Sequence, residues 1–113
     1  MQFGLILSLD YEIFGNGTGS VKKHIVSPTD RILKICNDNN FKLTIMFEVC
    51  EYWAFKQAEN EGILNHLEYS PSKDMELQIQ EAVRQGHDVQ LHMHPQWLNS
   101  KYLENRWSLD FNQ

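Results

Sequence analysis

Four side chains of this 113-residue sequence have the types and spacing to gather around one divalent cation: Asp10, Glu12, His92 and His94. Residues two apart on an extended strand project to the same face. His92 and His94 therefore share one side, and Val89, Leu91 and Met93 take the other. At about 3.3 Å rise per residue their Cα atoms lie roughly 6–7 Å apart, within reach of a single ion. Asp10 and Glu12 repeat the spacing where the first strand ends. A mixed imidazole and carboxylate set suits zinc first, then cobalt, manganese or nickel. Three such ligands with an open position lower the pKa of a water, and a fourth group left off the metal can take its proton. Hydrolysis is the reaction class this chemistry serves. Glu48 is an additional candidate, although Val49-Cys50-Glu51 after it equally reads as a helix start that favours acids.

These groups meet only if the chain brings three strand ends together. Residues 3–9 are a nearly unbroken apolar run, the pattern of a strand buried on both faces. A glycine-rich stretch, Gly15 to Ser20, follows as a loop over the site mouth. Ser27-Pro28-Thr29-Asp30 reads as a capped helix start, and Ile32, Ile35 and Cys36 as that helix's apolar stripe. Phe41 to Phe47 is a second strand. Residues 50–60 are helical in composition, and Ile63, Leu64 and Leu67 continue as a short amphipathic piece. A third helix begins near Ser72, carries Met75, Ile79, Ala82 and Val83 on one face, and ends at Gly86. His87 to His94 alternates and stops at Pro95. The order implies an α/β fold of parallel strands with outer helices. Active sites of such folds lie at the carboxyl ends of the strands, where the candidate ligands fall.

Composition narrows the function classes. With 10 Lys+Arg against 15 Asp+Glu the net charge is −5, and only Lys22-Lys23 is clustered, which excludes a phosphate-reading surface and nucleic-acid partners. No apolar run reaches the ~20 residues of a membrane span. The first residues lack a basic region and a cleavage site, so the chain is expected in the cytoplasm. Cys36 and Cys50 form no Cys-x-x-Cys and read as buried thiols. The glycines make no G-x-G-x-x-G cradle. His24, His66 and His87 read as ordinary surface or core histidines.

Three segments resemble the polysaccharide deacetylases, carbohydrate esterases with a distorted β/α barrel. Ser8-Leu9-Asp10-Tyr11-Glu12 is similar to their Thr-Phe-Asp-Asp motif. Gly86-His87-Asp88-Val89-Gln90-Leu91-His92 is similar to their Gly-His-Glu-Ile-Gly-Leu-His stretch, and Thr44-Ile45-Met46-Phe47 to their second strand. The resemblance spans residues 1 to about 97. It implies the N-terminal half of a (β/α)7-type barrel, with residues 1–113 as a single partial domain, since a whole β/α barrel takes about 200 residues or more. It also implies removal of an acyl group from an N-acetylated sugar or related small amide, with Asp10 as general base and His92 as a metal ligand. Tyr11 stands at the family's second Asp and Gln96 at its second metal His, so Tyr11 and Gln96 join Glu48 as additional site candidates. Glu12 and His94, each on its partner's side of the strand, are expected to replace the missing ligands.

The family's later motifs, including its general acid, find no counterpart, so the chain alone is expected to be inactive or feeble. Two other readings fit the same residues. One is a metal-dependent phosphoesterase or amidohydrolase of another barrel family. The other is a non-catalytic half-barrel that binds a ligand or a partner subunit, as in a homo-oligomer, through its unfinished edge and aromatic tail. The aromatic tail, from Trp97 to Phe111, is expected to lack a packing partner and leave an apolar patch.

Overall fold

The computed structural model describes residues 1–112. In chain order its elements are β1 (Leu7–Tyr11), a π-helical turn (Val21–Val26), α1 (Ser27–Asp38), β2 (Leu43–Glu48), α2 (Val49–Asn60) and α3 (Pro71–Arg84). Then come β3 (Asp88–His92), a 3-10 turn (Pro95–Trp97), β4 (Lys101–Leu103) and β5 (Arg106–Ser108). The first three strands form a parallel sheet in the order β1-β2-β3, and β4 and β5 form a separate antiparallel hairpin. The α/β expectation is met.

The sheet has unlike faces. Tyr11, Leu43 and Ile45 are buried in one core with Leu33 and Cys36 of α1 and Met75 and Ala82 of α3. On the opposite face Ser8, Asp10, Asp88 and Gln90 are exposed and Thr44 and Met46 half-buried. Sequential strand order keeps right-handed crossovers on one side, so a single helical layer covers a single face. Cys36 and Cys50 are buried free thiols, as expected. Among the described residues no helix is long and apolar enough to cross a membrane.

Several expectations give way. The first strand starts at Leu7, not Phe3, because Leu7 pairs with Leu43 at the very start of β2 and nothing lies opposite the residues before it. Phe3, Leu5 and Ile6 are at least 80 % exposed. Ser27 is not a cap. Helical structure already begins after Ser20, whose hydroxyl accepts the Lys23 N–H, and runs through the π turn into α1. Pro28 has no N–H to offer an ordinary helical turn, and the widened bond from Ser27 N–H to the Lys22 carbonyl lies immediately before it. The segment around Ile63 is a run of turns that buries only Leu64.

The tail is not unpartnered. Trp97 and Trp107 are buried, and Phe55 of α2 contacts both, with ring centroids 6.4 and 5.0 Å apart. Tyr102 packs on Trp107 at 5.3 Å. The glycine-rich loop is fastened to this hairpin: Trp107 N–H donates to the Gly17 carbonyl at 2.9 Å. Gly17 has φ +79°, and a Cβ there would collide with the Trp107 carbonyl oxygen, so only glycine allows the approach. Leu98, Leu103 and Phe111 do remain exposed.

His87, buried at the start of the third-strand segment, ties that segment to β2. Its Nδ1 accepts the Leu43 N–H at 3.0 Å, and its Nε2 lies 2.8 Å from Asn37 Oδ1, which makes Nε2 the protonated nitrogen. Burial, and then the Lys42 charge, push its pKa below the ordinary 6.5. The neutral ring is thus the one the fold stabilises. Its contribution is complete above about pH 6.5 and is lost as pH falls through the depressed value. Urea titrations across pH 7 to 5 are expected to show an acid-side loss of stability that is reduced in His87→Gln. Equal slopes in both proteins would remove His87 as the cause.

Candidate metal centre

The end of the parallel sheet sets the geometry. Phe47 is paired with Tyr11 on one side and with Leu91 on the other, and Glu48 is paired with His92. Glu12, one residue past Tyr11, therefore falls in the next row with Glu48 and His92. All three belong to the face away from the core. β3 ends at His92, yet the backbone stays extended at His94 (φ −110°, ψ 100°) before Pro95 turns the chain. The alternation persists long enough to return His94 to the same side. The two rings meet edge to face with centroids 4.5 Å apart.

One ligand atom from each of Glu12, Glu48, His92 and His94 lies within 4.8 Å of all the others. His94 Nδ1 is 3.0 Å from Glu12 Oε2 and 3.1 Å from Glu48 Oε2, and His92 Nε2 is 3.5 Å from Glu12 Oε2. These separations are short enough for ion pairs, but none has hydrogen-bond geometry. Glu12 Oε2, Glu48 Oε2 and His92 Nε2 are consequently buried with no hydrogen-bond partner. Buried polar atoms are nearly always satisfied, and a cation shared among these three could satisfy them together. A divalent cation fits that need, and the donor set matches zinc, cobalt, manganese or nickel. Burial raises the Glu12 pKa; His94 and His92 oppose the shift, and Asp10 and Glu48 reinforce it.

Glu48 caps a helix and also belongs to the cluster. Its Oε1 caps α2 by accepting the N–H groups of Cys50 (2.9 Å) and Glu51 (3.4 Å). That leaves Oε2 directed into the cluster. Asp10 lies one row back on the same face, exposed, outside the set of converging atoms but near enough to act on Glu12.

Two additional candidates are not part of the centre. Tyr11 has the opposite parity to Glu12 and points into the core, where its hydroxyl donates to Gln78 Oε1 at 2.7 Å. Gln96 lies in the 3-10 turn, where its backbone carbonyl accepts the Asp110 N–H at 3.0 Å, and it contributes no atom to the cluster.

Glu51 is the residue that sequence reasoning missed. It is 1 % exposed, and both carboxylate oxygens accept the Ile13 N–H, at 3.0 and 3.2 Å. Burial drives its pKa well above the ordinary range, a shift the Ile13 bond opposes and the charges of Glu12 and Glu48 reinforce. Its bond holds the chain immediately after Glu12. The sequence signal was present: Glu51 shares the i, i+3, i+4, i+7 stripe of Ala54, Phe55 and Ala58, an acid on an apolar face. Glu51→Ala would strand a buried N–H, expected to cost about 1–3 kcal/mol. Loosened support of Glu12 should also weaken metal binding about tenfold, the scale of losing an outer partner of a ligand. Calorimetric titration with zinc checks this. Unchanged affinity would confine Glu51 to a folding role.

Comparison with known proteins finds no matching family model, no matching curated protein and no matching solved structure.

Proposed function

We propose that this chain is the N-terminal half of a β/α barrel hydrolase that uses a divalent metal, zinc first, to remove the acyl group from an N-acetylated sugar or related small amide. The observation that carries the reading is the convergence of Glu12, Glu48, His92 and His94 with three buried, unpartnered ligand atoms. The uninterrupted β1-β2-β3 order, with helices on one face and polar residues on the other, supports the half-barrel.

Glu12, His92 and His94, with Glu48 as a further donor, would hold the cation. When bound there, a divalent ion supplies polarisation of an acyl carbonyl and a lowered pKa for water. Glu48 enters the site preorganised, because the two α2 N–H groups hold its other oxygen. The Glu51 bond to Ile13 restrains the chain that carries Glu12. Asp10, exposed on the polar face, takes the proton of the attacking water on its carboxylate, as a general base must. Its free access to solvent lets that proton leave.

Two measurements test this. Elemental analysis of the purified protein should find one divalent ion per chain. Acetate release from N-acetylated chito-oligosaccharide, expected to be feeble for this chain alone, should stop on chelation and on Asp10→Asn, with that variant retaining its metal. Absence of metal refutes the centre. Acetate release that survives chelation refutes the deacetylase reading, and chelator-sensitive hydrolysis of an aryl phosphate in its place reassigns the reaction.

A further inference from the structure

A second site lies along α2, beside the metal centre in sequence but with no residue in common. Trp53, Gln57 and Glu61 recur at intervals of four and form one stripe of α2 and its C-terminal end. Ala54 and Ala58 beside them are too small to fill the space between this helix and the tail. The result is an open cavity of about 300 Å³ whose facing wall includes Trp97, Tyr102 and Trp107. That volume is at the lower end of the range for small-ligand sites.

Three features identify what it would take. Trp53 is 51 % exposed although it borders an aromatic cluster, so a flat apolar surface stands uncovered. Trp97, Tyr102 and Trp107 add further aromatic surface to the wall. The rim carries one acid, Glu61, one base, Lys101, and the amide of Gln57. Opposed charges favour neither an anion nor a cation, while all three groups can bond hydroxyls. Aromatic planes with a polar, charge-balanced rim match a neutral polyhydroxylated ring, which presents C–H faces for stacking and oxygens at its edge.

We propose that this cavity is a sugar-binding subsite, holding a pyranose unit of a glycan against Trp53. Trp97 follows His94 by three residues, in the turn after the candidate centre. The inference deepens the proposed function through this proximity in sequence alone; the sugar binding rests on the cavity itself.

The test is kept separate from metal and turnover. Metal-free protein is titrated with N-acetylchitotetraose and, in parallel, cellotetraose, and the three Trp indole N–H signals are followed by NMR. One of the two probes should shift the Trp107 indole signal in a saturable manner. Trp53→Ala, at a half-exposed position that spares the fold, should weaken that binding at least ~tenfold, about 1.4 kcal/mol, with zinc affinity unchanged. No indole shift with either probe at millimolar concentration would overturn the subsite. So would binding that Trp53→Ala leaves intact. Sugar binding in a protein that holds no metal would leave the subsite standing and remove the hydrolase.

Discussion

Glu48→Gln is expected to abolish the stabilisation of this protein by zinc while leaving the metal-free form at least as stable as the wild type. The substitution separates the two jobs of one side chain. Glutamine keeps a carbonyl oxygen for the N–H groups of Cys50 and Glu51, so the α2 cap survives. It replaces Oε2, the buried unpartnered oxygen, with an uncharged amide that cannot serve as a metal ligand. Without metal, the wild type carries two neighbouring carboxylates, of which Glu12 is already pushed toward protonation. Removing one of the pair relieves that repulsion. With metal, a four-donor site of about 10–16 kcal/mol loses on the order of a quarter of its binding energy, which is roughly two to three decades in affinity. Zinc at a hundred times its Kd contributes about 2.7 kcal/mol to wild-type stability. Thermal unfolding with and without zinc, after chelation, should therefore show an upward shift for the wild type and none for Glu48→Gln. His92→Ala and His94→Ala should behave alike. A preserved zinc response in all three would dissolve the metal centre and favour a non-catalytic module.

Trp107→Ala is expected to be the most destabilising single change in the tail, costing about 3–5 kcal/mol. The indole is buried against Phe55, Trp97 and Tyr102, with ring centroids 5.0, 5.4 and 5.3 Å away. Its backbone N–H also anchors the Gly17 loop, so a collapse of the hairpin releases that loop as well. Domains of this size hold only about 5–15 kcal/mol in total, so the loss takes a large share of the stability. Urea denaturation measures the loss. Leu103→Ala, at an exposed position of the same hairpin, is the control and should stay within about 0.5 kcal/mol. Equal small effects at both positions would return the tail to the status of an unpacked appendage.

Strand ends and parity were legible because they are local. Extended backbone turns side chains over every residue, so His92 and His94 had to share a side once the chain ran straight through them. Helix α3 was equally plain from its apolar stripe and the glycine after it, with Gly86 at φ +88° as a left-handed stop requires. The errors share a cause of another kind. Phe3, Leu5 and Ile6 have the composition of a buried strand, but burial depends on a neighbour, and β2 begins too late to provide one. Tyr11 and Glu12 are adjacent candidates in the sequence and face opposite ways in the fold. Ser27-Pro28 has the look of a helix start, yet contacts of Val21 and Ile25 with the core extend the helix upstream of it.

What the amino-acid order determined alone was the kind of chemistry available: which donors exist, and which pairs of them one strand must present together. What tertiary structure decided was membership. Parallel register brought Glu48 beside His92 and set Glu12 in the same row, the α2 cap freed one Glu48 oxygen, and Glu51 was drawn beneath the loop after Glu12. The physical reason is that a ligand set is defined by distances between strands. Those distances follow from which strands pair and in what register, a choice made by the burial of Leu43, Ile45 and Tyr11 on the far side of the same sheet.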